Sequence, residues 1–111
     1  VDGHLLDHHF DAAVTILDQV LRAETWAQDH PSEVRRYLAR ETNASEYWVS
    51  VAYGEDAQTR LKTDLAQQSV EAIQDFTDFL HRWGFIPQSF DVGGWIDRRP
   101  LDALRSARVA G

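Results

Sequence analysis

The sequence predicts an all-α protein of four or five helices joined as helical hairpins. Three observations predict it. Residues 65–87 read LAQQSVEAIQDFTDFLHRWGFIP, with apolar side chains recurring at the three-four spacing of one helix face. Residues that start or stop helices punctuate the chain at Pro31, Asn43, Gly54, Gly84, Pro87 and Pro100. No stretch shows the strict apolar–polar alternation of a half-buried strand.

The helix within residues 65–87 carries the clearest pattern. Ala66, Val70, Ile73, Phe76, Thr77 (by its methyl), Leu80 and Trp83 form the stripe, and Glu71, Gln74, Asp75, Asp78 and Arg82 fall mostly opposite. A length of roughly 17–20 residues follows, with Gly84 as the left-handed stop. Phe85 and Ile86 are expected to fold back on the last turn, and Pro87 forbids continuation. Such a stripe needs a partner surface.

Upstream, Val1 to His4 reads as a ragged start. One helix is expected over 5–28, on Leu6, Phe10, Ala13, Val14, Leu17, Val20, Leu21 and Trp26, with Asp2 or Asp7 as cap. Pro31 suits the first turn of a second helix, capped by Asp29 or His30 and carrying Val34, Tyr37 and Leu38. Asn43 fits a left-handed helix end. Ser45 fits the N-cap of a third short helix bearing Tyr47, Trp48, Val51 and Ala52, ending near Gly54. Residues 55–63 read as a polar loop anchored by Leu61. Beyond Pro87 the Gly93-Gly94 pair interrupts any period, which predicts an irregular segment. Pro100, Leu101, Leu104 and Ala107 predict a last short helix.

A chain of 111 residues fits one small domain, and 43% hydrophobic residues suffice for a core. The net charge of −7 argues against general binding to nucleic acid or anionic membranes, so no nucleic-acid partner is expected. Without cysteine there is no disulfide or thiolate chemistry. No run reaches the roughly 18 apolar residues of a membrane span. The sequence opens at Val1 and contains no Met, which suggests a mature form, a processed form or an excised fragment.

Candidate chemistry is sparse. His4 and His8 are four apart, with His9 adjacent, but a closed metal site needs third and fourth ligands and none is evident. Asp75 and Asp78 share a helix face on its polar side, where nothing would shift their pKa values for acid–base work. Arg35, Arg36 and Arg40 form a basic face interrupted by Glu33 and Glu41, and read as surface. Asn43-Ala44-Ser45 matches the glycosylation acceptor pattern, which matters only in a eukaryotic secretory context. Trp26, Trp48, Trp83 and Trp95 are assigned to the core, since three lie on helix stripes. No catalytic set and no cofactor is expected.

The order of these segments resembles a known family. VLRAETWAQDHP ends a buried helix, ETNAS ends a short one, and a Tyr-Gly and a polar segment follow. A long amphipathic helix then ends in WGFIP, and SFDVGGWID comes after it. From about Phe10 to Leu104 this is similar to the C-terminal helical region of periplasmic substrate-binding proteins of ABC importers for sulfonates, taurine and nitrate. Asn43 stands where that family commonly has Gly, and the aromatic load in Phe76, Phe79, Trp83 and Trp95 is heavier. The residues 53–61, YGEDAQTRL, are also similar to a stretch of the aromatic sulfinate desulfinases, enzymes of the same fold.

The resemblance implies that residues 1–111 are a single helical domain or fragment of a longer solute-binding protein. Its partners would be N-terminal α/β lobes and an ABC permease, and its location periplasmic or that of an extracellular lipoprotein. Tyr53 and Arg60 are the ligand-binding candidates, being the polar residues nearest the family's aromatic-Gly region. The alternatives are the same region of a desulfinase, whose Cys, His and Arg would lie upstream, and a free-standing helical interaction module. Stripes shaped for absent lobes would be exposed and favour a homodimer.

Overall fold

The computed structural model of the chain describes residues 2–110, with side chains as far as residue 109. Seven α-helices account for most of them: α1 Gly3–His8, α2 Phe10–Gln28, α3 Pro31–Thr42, α4 Glu46–Tyr53, α5 Gln67–Arg82, α6 Val92–Trp95 and α7 Arg99–Ala110. A 3-10 turn, Ala57–Arg60, lies between α4 and α5, and there is no strand among the described residues. The chain is all-α, as expected. It divides into two compact units: a middle unit, Asp11–Thr63, and a terminal unit in which Val1–Phe10 joins Asp64–Gly111.

The middle unit is a run of helical hairpins. The amides of Asp29 and His30 donate to the carbonyls of Trp26 and Ala27, at 3.2 and 3.1 Å, which closes the corner that Pro31 requires. α3 ends on Asn43 at φ 52°, ψ 40°, the left-handed conformation expected there. The Ala44 amide then reaches the Ala39 carbonyl at 3.0 Å. Ser45 caps α4 by accepting from the Trp48 amide, and Gly54, at φ 84°, ends it. The core is made mostly of small residues, Ala13, Ala27, Val34, Val49 and Ala57, with Leu21. Polar ties supplement it. The Thr63 amide donates to Glu24 Oε2 at 2.7 Å, Gln28 Nε2 donates to the Gln58 carbonyl at 2.9 Å, and Arg35 pairs with Glu55 at 3.0 Å.

The terminal unit is organised by α5. Its stop matches the sequence: Gly84 sits at φ 77°, and the Phe85 amide donates to the Leu80 carbonyl at 2.8 Å. The facing is rotated from expectation. Thr77 is buried and Val70 and Leu80 are half-buried, but Phe76 and Trp83 point outward. Gln74, assigned to the polar face, turns inward. Its Oε1 accepts from the Val92 amide at 2.8 Å, and its Nε2 donates to the Phe90 carbonyl at 2.9 Å and to Asp78 at 3.1 Å. This amide ties residues 89–92 to α5 and seats Val92, which is fully buried. Pro100, Leu101 and Leu104 complete the core.

Three local expectations need correction. The single helix over 5–28 is two, because His9 leaves the helical region at φ −136°, ψ 46°. Neither Gly nor Pro marks that break. Asp2 does cap α1, its Oδ1 accepting from the Leu5 amide at 2.8 Å, so Gly3 and His4, expected in a ragged start, are helical; Val1 lies outside the described residues. The segment around Gly93-Gly94 is one helical turn. The Asp91 carboxylate folds over it, so a Cβ on Gly94 would stand 2.8 Å from Asp91 Oδ2. Leu61 is not an anchor but stands exposed, because the turn at residues 57–60 buries Ala57 instead.

Candidate functional site

What distinguishes both units is where their large side chains lie. The tryptophans assigned to the core are outside it: Trp26, Trp48, Trp83 and Trp95 are all exposed, the last three by more than 60%. The physical reason is visible in their neighbours. Ala27, Val49 and Val92 occupy the inter-helix contacts, and helices that close on small residues leave no room for an indole. In the middle unit α2 presents Ile16 and Val20 to solvent, and α4 presents Tyr47, Trp48 and Val51. Tyr47 and Trp48 meet edge to face at 5.2 Å. In the terminal unit α5 presents Phe76, Phe79 and Trp83, with ring centroids 6.2 and 6.4 Å apart along the helix, and Phe90 packs edge-on to Trp95. Exposed aromatic groups gathered on helix faces are surfaces for macromolecular contact.

Tyr53 and Arg60, the ligand-binding candidates, lie on successive elements of the middle unit. Tyr53 ends α4 and Arg60 ends the 3-10 turn; both are exposed, and no hydrogen bond, ion pair or ring contact joins them. An open depression of about 230 Å³ lies elsewhere, on α3, lined by Glu33, Arg36, Tyr37 and Arg40. Arg36 faces Glu33 there at 3.5 Å, and both are well exposed. Solvent-screened guanidiniums of this kind hold an anion weakly.

The other candidates resolve as structure. His4 and His8 stack at 4.2 Å, and the Nδ1 of His8 lies 3.0 Å from the His4 carbonyl oxygen. Among the described residues no group of three or more His, Cys, Asp or Glu is placed to hold a metal. His30 lies flat on Trp26, at 4.1 Å and 7°. Asp78 is an acceptor for Ser89 and Gln74, and the Ser89 hydroxyl above all holds its carboxyl below the ordinary range. A carboxyl so stabilised in its charged form is poorly suited to carry a proton at neutral pH. Asn43 and Ser45 are both engaged as helix caps.

No family model, no curated protein and no solved structure matches this chain.

The sequence reading missed Phe79, which joins Phe76 and Trp83 on the outward ridge of α5. The missed signal is the spacing of Ala72, Phe76, Phe79 and Trp83, at intervals of four, three and four.

Proposed function

We propose that this chain is a docking unit whose helix faces are completed by another scaffold, and that the scaffold is the pair of α/β lobes of an ABC importer's solute-binding protein. The solute would be a small anion such as a sulfonate, taurine or nitrate. The observation that carries the docking role is the inversion of the middle unit. Its interior holds Ala13, Ala27, Val34, Val49 and Ala57 with Leu21 as the one large side chain among the buried residues, while Ile16, Val20, Tyr47, Trp48 and Val51 face outward. A helix pair built to stand alone would bury its largest apolar groups first, because each contributes roughly 1.5–3 kcal/mol on burial. The order of segments from Phe10 to Leu104 supports this choice of scaffold, since it resembles that of the importer receptors. Solute capture would belong to the cleft between the lobes, with these helices bracing them.

The test is calorimetry with taurine, alkanesulfonates and nitrate on two proteins: the 111-residue chain, and the longest reading frame that contains it. The expected result is no micromolar binding by the chain alone and micromolar binding by the longer protein. A longer protein that carries α/β lobes yet binds none of the three solutes would sink the receptor assignment. The docking role would then stand on the apolar surfaces alone.

A further inference from the structure

We propose that the outward ridge of α5 pairs with the same ridge of a second copy of this chain, antiparallel, to form a two-fold dimer. The inference concerns the terminal unit and does not depend on what the middle unit covers. Ala72, Phe76, Phe79 and the C-cap residue Trp83 repeat at intervals of four, three and four, which matches the spacing of a short two-helix seam. All four are exposed. Phe76 is 60% and Trp83 66% accessible, while Thr77 on the inward face is 6% accessible. The ridge is therefore separate from the face that holds the unit together.

Side-chain size selects the direction. Laid antiparallel about a two-fold axis at the middle of the ridge, Phe76 meets Phe79 of the second copy. Ala72 then meets Trp83 of the second copy, so the largest seam residue faces the smallest. A parallel pair would set Trp83 against Trp83 and Ala72 against Ala72, a collision at one level and a void at the other. The antiparallel arrangement also opposes the two helix dipoles.

Charge selects the same direction. Asp75 and Arg82 each precede a seam residue, Phe76 and Trp83, and so flank the ridge on one side. In the antiparallel pair Asp75 meets Arg82 of the second copy, and symmetry makes the contact twice. Among the described residues neither forms an ion pair within its own chain, and Arg82 acts at longer range on Asp78. The other flank carries Ile73 and Leu80, which meet across the axis as an apolar pair. The interface is small. Three half-exposed rings supply about 300–400 Å² per copy, against about 800 Å² per partner in a standard interface. So small an interface belongs with weak, concentration-dependent contacts.

The test is sedimentation equilibrium of the whole chain from about 5 to about 300 µM. Wild type should pass from monomer to dimer across this range. Asp75→Arg, which faces Arg82 of the second copy, and Arg82→Asp, which faces Asp75, should each weaken the dimer about tenfold. An equimolar mixture of the two variants restores both ion pairs and should dimerise as wild type does. The double variant D75R/R82D should do so by itself. Phe79→Glu should leave a monomer with unchanged helix content by circular dichroism, since its ring is not part of the core. A wild-type monomer at every concentration overturns the proposal. So does self-association indifferent to the single exchanges, or a mixture that fails to restore it. None of these readings involves solute binding, so the receptor assignment fails or stands separately.

Discussion

The two units solve the same problem with different materials. The middle unit closes helix on helix through alanine and valine, with few polar ties. The terminal unit uses one long helix as a post and binds an irregular segment to it through side-chain hydrogen bonds. Gln74 holds Phe90 and Val92, Asp78 holds Ser89, and Arg98 reaches the Leu65 carbonyl at 3.0 Å. Small residues allow close approach but little buried apolar area per contact. Polar ties fix geometry but depend on every partner being present. The middle unit should therefore fail gradually under cavity-making changes, and the terminal unit abruptly when one tie is cut.

The largest effect expected is that of a charge at Val92. It is wholly buried, and a carboxylate there would have to be desolvated. Val92→Asp should cost about 4 kcal/mol or more and unfold the terminal unit. Amide exchange of the middle unit, residues 11–63, should be little changed if its core is its own. Loss of protection in both units together would break the comparison.

Cutting the central tie comes next. Gln74→Ala removes the acceptor for the Val92 amide and a donor to the Phe90 carbonyl, and leaves a half-buried amide unsatisfied. A cost of about 2 kcal/mol is expected. It should be read in urea unfolding and as fast exchange of the Val92 amide. Gln74→Glu keeps the acceptor and should recover part of the protection at that amide. If Gln74→Glu behaved like Gln74→Ala, the acceptor would not be the tie.

A smaller effect belongs to the middle unit. Ser45→Ala deletes the cap of α4, whose Oγ accepts from the Trp48 amide, and should cost about 1 kcal/mol. Asn43→Gly keeps the left-handed helix end and should be near neutral, whereas Asn43→Val should cost about 1 kcal/mol or more. Thermal unfolding followed at residues 34–52 separates these outcomes.

Much of this arrangement is legible in the sequence, and the limits have physical causes. Helix ends were readable because their signals are local: Pro31, Asn43, Ser45, Gly54 and Gly84 act on their own backbones. Facing was not, because burial depends on which neighbours arrive. A stripe that includes Ile73, Phe76 and Trp83 implies that these side chains lie inward, but of that stripe Thr77, Val70 and Leu80 turn inward, joined by Gln74 from the polar face. The break at His9 had no residue type to announce it. The turn at Val92–Trp95 was hidden because its two glycines suggest irregularity, whereas here they lie against the Asp91 carboxylate. Tyr53 and Arg60 came from the resemblance alone, and no local signal in the sequence marks them.

Acid should separate the units last and most gently. In the terminal unit, hydrogen bonds from Ser89 and Gln74 hold Asp78 below the ordinary carboxyl value, and hydrogen bonds from Arg99 do the same for Asp97. Arg99 also reaches Asp7 at 3.3 Å, which links α1 to the start of α7. A carboxyl depressed in the folded state stabilises that state above its unfolded pKa of about 3.9, and the contribution disappears as pH falls through the lower, folded value. The terminal unit should thus loosen only below about pH 4, with residues 89–99 losing amide protection first. Both carboxyls are solvent-exposed, so the effect is a modest shift of the acid transition and shrinks with added salt. Ser89→Ala should move the Asp78 titration back toward the ordinary value in a carbonyl-detected NMR experiment, while leaving Asp97 unmoved. If residues 11–63 lost protection at the same pH as residues 89–99, the polar ties would not be what sets the terminal unit apart.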